Sequence, residues 1–258
     1  MDMAENFKMY FEEILAVTDE TEQEAYRLRF QIYCVERGFE DPETFPDQME
    51  KDEFDERSVH ALVRHRKTSL LAGLVRLILP DPNNSNAPFP IELHCGEDFD
   101  PDVMSHFNVP RNKLAEVSRF AISKNFKKRA GEPETTSGVS SIFNYSNDEL
   151  SKHRRIFPHI SLGLIAMLFY ISQQHKITHW YAVMEPSLSR LLSRFGIHFT
   201  KIGPIVDYHG RRQPMIACVN DLLQGVHDTN EEFWELIVNL GGVPSDFKTD
   251  KSHKSLAG

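Results

Sequence analysis

Leu114-Ala115-Glu116-Val117-Ser118-Arg119-Phe120-Ala121-Ile122 is the stretch on which the reading of this chain turns. It holds no Gly or Pro and is mostly apolar, which predicts a strand over 114–123. Side chains alternate faces along a strand. Leu114, Glu116, Ser118, Phe120 and Ile122 are therefore expected on one face and Arg119 on the other. Glu116 then sits among apolar neighbours, where lost hydration raises a carboxyl pKa and suits it to general-base work. The competing reading is a carboxylate that pairs with a buried basic group. For Glu116 and Arg119 to serve one site the strand needs a bulge between them, and bulges gather beside active sites.

Upstream, residues 59–64 and 70–79 read as strands joined by a turn at 66–69. The second carries Arg76 inside Leu74-Val75-Arg76-Leu77-Ile78. A buried guanidinium requires carboxylate partners. Asp52 and Asp55 are the nearest in sequence, and Arg29 can join them; a purely structural ion-pair network explains the cluster equally well. Phe7, Tyr10, Phe11 and Ile14 recur at helical spacing, and a strand is expected over 14–18. Asp19 and Glu22 look like the capping box of a helix that runs through Tyr26, Phe30 and Tyr33 and stops near Gly38. Residues 40–50 and 80–90 read as loops.

Downstream, 124–157 reads as a polar surface insertion with local disorder. Ser161 is expected to cap a buried apolar helix that ends near His175. A strand over 179–185, a helix over 186–195 with Pro at its first turn, and strands over 199–203, 205–208 and 214–219 follow, the last two turning at Gly210. Thr229 and Glu232 look like the cap of a final helix that stops at Gly241 and Gly242. The tail from about 245 to 258 is expected to be disordered. This order implies one α/β domain over 1–258, a mixed sheet flanked by helices with no linker.

The formal net charge of -9 over 258 residues argues against nucleic-acid binding, which needs a basic face. Cys34, Cys95 and Cys218 are scattered and odd in number, so a disulfide framework is not expected and a reducing cytoplasm is. The N-terminus lacks the basic start and apolar middle of a signal peptide. The longest apolar run, near 162–171, is shorter than the roughly 20 residues a bilayer span takes. Against this acidic chain the insertion is basic: Lys124, Lys127, Lys128, Arg129, His153, Arg154 and Arg155. Such a patch either docks an acidic protein or phosphates, or is a solvated loop. Cys34 lies mid-helix and reads as core. His175 and His179 straddle a helix-to-strand boundary with no ligand to complete a set, so no metal is expected.

Taken in order, Leu28-Arg29, Tyr33, Phe39, Asp52, Asp55, Arg76 in Gly73-Leu74-Val75-Arg76-Leu77, and Glu116-Val117-Ser118-Arg119-Phe120 resemble the acyl-homoserine lactone synthase signature. Phe39 stands where that signature commonly carries tryptophan. The chain is more similar still to the N-acyl amino acid synthases and to the acyltransferases associated with PEP-CTERM and exosortase systems. Residues 52–60, 179–188 and 208–214 carry that likeness, which spans about 7–220. It implies the GNAT-like fold, with an acyl thioester entering between two splayed parallel strands, here 114–123 and 179–185. It implies an N-acyltransferase that moves a long-chain fatty acyl group onto the amino group of an amino acid.

The resemblance implies roles as well. Glu116 becomes the general base, and Arg119 binds a carboxylate or orients Glu116. Arg29, Asp52, Asp55 and Arg76 shape the N-terminal wall, with Tyr33 and Phe39 as further substrate-binding or site-shaping residues. Ser118, Phe120, Trp180 and Met184 are expected to bind substrate or shape the site; helix 162–171 and the strand with Trp180 and Tyr181 either line an acyl tunnel or pack the core. Coenzyme A enzymes of this fold usually carry a glycine-rich arginine or glutamine motif before the next helix; His159-Ile160-Ser161-Leu162-Gly163-Leu164 does not match it. A helix N-terminus at Ser161 is expected to hold one phosphate, which fits acyl-phosphopantetheine on acyl carrier protein, docked by the basic insertion, better than acyl-coenzyme A. No permanently bound cofactor is expected. Two other readings stay open: a homoserine lactone synthase acting on S-adenosylmethionine, and a non-catalytic lipid or carrier-protein binder.

Overall fold

The computed structural model describes residues 3–126, 157–207 and 210–248. Helix α1 (Met3–Tyr10) leads into strand β1 (Phe11–Ala16). Helix α2 (Asp19–Phe30) continues as one π-helical turn, Gln31–Glu36. Its cap is Thr18 with Thr21, not Asp19 with Glu22: the Thr18 hydroxyl accepts from the Thr21 amide, and the Thr21 hydroxyl from the Thr18 amide. Asp19 and Glu22 instead place acidic charge in the first turn, where the helix dipole favours it.

Strands β2 (Ser58–His65) and β3 (Leu71–Ile78) form the predicted hairpin, with Ser69 left-handed in the turn. Two short helices absent from the sequence reading follow, α3 (Pro90–Cys95) and α4 (Pro101–Ser105). Each has Pro at its start, a signal that is easily taken for a loop in so short a segment. Then come β4 (Leu114–Ile122), α5 (Phe157–His175), β5 (His179–Met184) and α6 (Pro186–Ser193). Strands β6 (Thr200–Lys201), β7 (Val206–Asp207) and β8 (Arg211–Cys218) precede α7 (Val219–Thr229) and α8 (Glu231–Asn239). Gly210 turns between β7 and β8 with φ +96°, a conformation that disfavours a Cβ.

The end of the chain corrects a second cap. Thr229 closes α7, which was not predicted, and Asn230 caps α8 by accepting from the Phe233 amide. A third correction concerns α5. It begins at Phe157, so Ser161 lies inside it, fully buried, with its hydroxyl unpartnered among the described residues. The apolar run had hidden the first turn, and the phosphate site expected at Ser161 falls with the cap.

The strand order is β1-β2-β3-β4-β5-β8-β6, with β7 paired to β8. The β4–β5 pair is parallel; the other pairs among these strands are antiparallel. A parallel pair needs a crossover connection, and α5 supplies it. One face of the sheet carries α1, α5, α6, α7 and α8 over the largest apolar cluster. Ile160, Leu162, Leu164, Leu168, Phe169 and Ile171 of α5 are all at most 1% exposed, and each such burial contributes roughly 1.5–3 kcal/mol. A Cβ at Gly163 would lie 2.2 Å from the Phe7 ring, so the residue between Leu162 and Leu164 must be glycine for α1 to seat on α5. The opposite face carries α2 and its π turn over Leu62, Leu74 and Ala121, and α3 over Ile78, Leu114 and Tyr181. With helices on both faces, β3 is buried along nearly its whole length.

Candidate active site

The nine-residue stretch is strand β4, and the bulge that two functional side chains demanded is present. In the ladder with β3, Arg76 pairs with Ser118 while Leu74 pairs with Ala121. Val75 alone therefore spans Arg119 and Phe120. Arg119 takes φ +50°, the left-handed region, which costs a non-glycine residue roughly 1–2 kcal/mol. The bulge resets the alternation. Leu114 and Ala121 pack on the α2–α3 face, whereas Phe120 and Ile122 join the α5 face. The expectation that Phe120 and Ile122 share the face of Glu116 fails past Ser118 for this reason.

Pairing between β4 and β5 covers Leu114↔His179 to Val117↔Ala182 and stops there. Beyond it the strands part, as predicted, and a cleft of about 320 Å³ passes through the opening. One arm is apolar, lined by Leu168 of α5, Trp180, Ala182 and Met184 of β5, and Leu188 and Leu192 of α6. Trp180 is fully buried and donates to the Ser172 hydroxyl at 2.7 Å. The other arm is charged, lined by Tyr33, Glu50, Asp52, Arg76 and Arg119. Glu116, Val117 and Ser118 line the junction.

Glu116 is 3% exposed. Burial pushes its carboxyl up to about 8, against the opposing pull of the Ile91 amide and the Arg76 charge. Its Oε2 accepts from the Ile91 amide at 2.9 Å; Oε1 has no protein partner among the described residues. One oxygen is held and the other is left for the cleft.

The charged arm rests on a closed network. Arg76 donates to Asp52 Oδ1 at 2.6 Å, Asp55 Oδ1 at 2.7 Å and Ser118 Oγ at 2.8 Å. Arg29, with no exposed side-chain surface, pairs with Asp55 Oδ1 at 2.6 Å and grips Glu50 at 2.6 and 2.9 Å. Arg119 donates to Glu50 Oε1 at 2.9 Å and Asp52 Oδ2 at 3.2 Å, and lies over the Tyr33 ring. The Asp52 and Asp55 partners inferred for Arg76 are therefore in place. Among the described residues Arg119 binds the carboxylates of Glu50 and Asp52, and it makes no hydrogen bond to Glu116.

Glu50 escaped the sequence reading. Three arginines with two aspartates leave one guanidinium short of a buried partner, and that charge count was the available signal. Burial pushes Glu50 up, but hydrogen bonds from Arg29 and the charge of Arg119 outweigh it and hold the carboxyl at about 2. Asp55 is likewise held well below the usual carboxylate range, against burial, by His60, Arg29 and Arg76. His60, 3.3 Å from Asp55, is kept below its ordinary value by burial.

Phe39 stands behind Tyr33, ring centres 6.4 Å apart, and does not line the cleft. Cys34 is core, its thiol pushed up to about 11 by burial. Lys124 is exposed, its backbone amide donating to Glu36. The other residues expected to dock a carrier, Lys127, Lys128, Arg129, Arg154 and Arg155, lie outside the described residues, as do His153, Tyr208 and His209. Among the described residues no group of three or more His, Cys, Asp or Glu is placed to hold a metal, and no helix is long and apolar enough to cross a membrane.

The family model for the acetyltransferase (GNAT) domain matches residues 28–134, which include β2, β3 and β4. The fold is the GNAT fold. Solved structures extend the likeness over most of the chain. TofI in a ternary complex with an inhibitor and MTA superposes with a TM-score of 0.57 at 17% identity, covering 86% of this chain and 99% of that one. BjaI, a CoA-dependent acyl-homoserine lactone synthase bound to SAM and isopentyl-CoA, gives 0.53 at 17%, covering 93% of each. FeeM, an N-acyl amino acid synthase from uncultured soil microbes, gives 0.51 at 15%, covering 83% and 93%. At these identities the shared feature is the GNAT fold. No protein of curated function matches this chain by sequence.

Proposed function

We propose that this GNAT acyltransferase moves a long-chain fatty acyl group from the phosphopantetheine thioester of acyl carrier protein to the amino group of an amino acid. The observation that carries the reading is Glu116, buried at the junction where the apolar arm meets the charged arm. The apolar arm fits an acyl chain. The charged arm fits a small polar acceptor. A thioester carbonyl held where β4 and β5 part lies between them, which brings the reactants together.

The amine nitrogen attacks the carbonyl carbon and forms the C–N bond. Glu116 takes the proton the nitrogen sheds. Backbone at the bulge, past the last β4–β5 pair, is assigned to the developing oxyanion. The C–S bond then breaks, and the pantetheine sulfur leaves as a thiol carrying that proton. Burial raises the Cys34, Cys95 and Cys218 thiols, which supports direct attack without an acyl-enzyme. The basic residues of 124–155 in an otherwise acidic chain support an acidic carrier as donor.

The test is turnover of long-chain acyl carrier protein with a panel of amino acids, read by thiol release and product mass. Glu116→Gln should lose most activity while staying folded; wild-type kcat in that variant would remove Glu116 from the chemistry. Equal or faster turnover of acyl-coenzyme A would remove the carrier. The likeness to BjaI favours one further reading, lactone synthesis from S-adenosylmethionine. Release of methylthioadenosine would identify it.

A further inference from the structure

The Ile91 amide that holds Glu116 belongs to a turn gripped from outside by two arginines. Arg111 forks onto Glu92, reaching Oε1 and, at 2.6 Å, Oε2, and also donates to the Ala87 carbonyl. Glu92 Oε2 in turn accepts from the Phe89 amide at 2.8 Å, closing the first turn of α3. Arg57 donates to the carbonyls of Leu79 and Pro88 at 2.9 and 2.6 Å. The Arg57 and Arg111 guanidiniums lie 5.1 and 4.4 Å from the centre of the Phe89 ring, and Phe89 packs edge-on against Tyr181, the β5 partner of Glu116. Segment 87–92 is thereby fixed at its carbonyls, its cap and its one aromatic ring, and the Ile91–Glu116 bond ties it to β4.

We propose that Arg111, with Arg57, is a positioning residue of the reaction: it clamps 87–92 so that the Ile91 amide holds one oxygen of Glu116 and leaves the other for the substrate amine. This rests on Glu116 being the base. Planar, two-pronged recognition of a carboxylate is something arginine does and lysine does not, so the clamp depends on the fork and not on charge alone.

The charged and titratable groups around Glu116 are Arg57, Arg76, Arg119, Glu92, Cys95 and Tyr181. Loosening the clamp weakens a hydrogen bond that favours ionised Glu116 and frees the Glu92 charge beside it. Both effects make Glu116 harder to ionise. The acid limb of the kcat profile should move to higher pH by about one unit, with a roughly tenfold fall in kcat near pH 7 and little change in KM.

The experiment compares wild type, Arg111→Lys, Arg111→Gln and Glu116→Gln as full-length chains, with long-chain acyl carrier protein as donor. Each kcat–pH profile is measured beside the Ile91 amide proton shift in ¹⁵N-labelled protein. The expected result is a displaced limb and an upfield Ile91 amide in both Arg111 variants. A wild-type limb and amide in Arg111→Lys would overturn the clamp in favour of simple charge, and that variant decides alone should Arg111→Gln not fold. A merely structural role would lower stability and leave the limb in place, which also overturns it. Full activity in Glu116→Gln would instead remove the underlying assignment of the base.

Discussion

Replacing Glu116 with Gln should make the protein more stable in alkaline solution while it abolishes turnover. The carboxyl ionises ordinarily near 4.5 but is pushed by burial to about 8. It therefore holds its proton more tightly folded than unfolded, and the folded state loses stability as pH rises from about 4.5 through about 8. Full ionisation corresponds to roughly 5 kcal/mol that the wild type forfeits by pH 9. Gln has nearly the same shape, keeps an acceptor for the Ile91 amide and carries no charge. For a chain of this size the difference amounts to a Tm gap on the order of 10 °C, absent at pH 4.5 and open at pH 9. Calorimetry across that range, with activity assayed on the same samples, reads both effects. Parallel melting curves for the two proteins from pH 4.5 to 9 would show that Glu116 titrates as an ordinary carboxylate, and the general-base assignment would lose its physical ground.

Glu50→Gln should cost about 3–5 kcal/mol, because it leaves the buried Arg29 and Arg119 short of counter-charge. Glu50 is held at about 2, so its contribution is present above pH 4.5 and lost as pH falls towards 2; urea midpoints of wild type and variant should converge there. Ala182→Phe places a ring in the apolar arm, and should cut kcat/KM for long acyl chains at least tenfold while sparing short ones in a chain-length series. Arg119→Gly and Arg119→Ala both remove the guanidinium, but only the first accepts φ +50° freely. The glycine variant should therefore melt about 2–4 °C above the alanine one, and equal melting would show that the bulge relaxes once the side chain is gone.

What the sequence disclosed follows from what sets each feature locally. The hairpin of β2 and β3, the buried helix α5 and the strand around Glu116 have strong apolar runs and were legible. So was the demand of Arg76 for carboxylates, since a guanidinium in an apolar strand has few ways to be satisfied. The caps at Thr18 and Asn230 and the start of α5 at Phe157 were misplaced by a few residues, because several residues near each helix start are competent and tertiary packing chooses among them. Glu50 was missed because its role is set by chain geometry 69 residues away at Arg119, and only the charge count pointed to a further carboxylate. The bulge was inferred, yet its consequence for Phe120 and Ile122 was not carried through: one extra residue reverses every later side chain. The clamp of Arg57 and Arg111 joins four separate stretches of chain, and no local pattern announces it.

The charge network and the base are better understood together. Arg76 and Arg119 each draw Glu116 toward ionisation, yet burial outweighs them. Both guanidiniums are already engaged, Arg76 by Asp52 and Asp55, and Arg119 by Glu50 and Asp52, so much of their field is cancelled before it reaches the junction. An unpaired arginine in either place would pull the Glu116 carboxyl down toward the ordinary carboxylate range, and taking a proton from an amine would then be more steeply uphill. At about 8, Glu116 stands far closer to the range of an ammonium group than an ordinary carboxylate does, and the transfer is correspondingly less uphill. Ion pairs that look purely structural thus tune the basicity of the carboxylate beside them by neutralising one another.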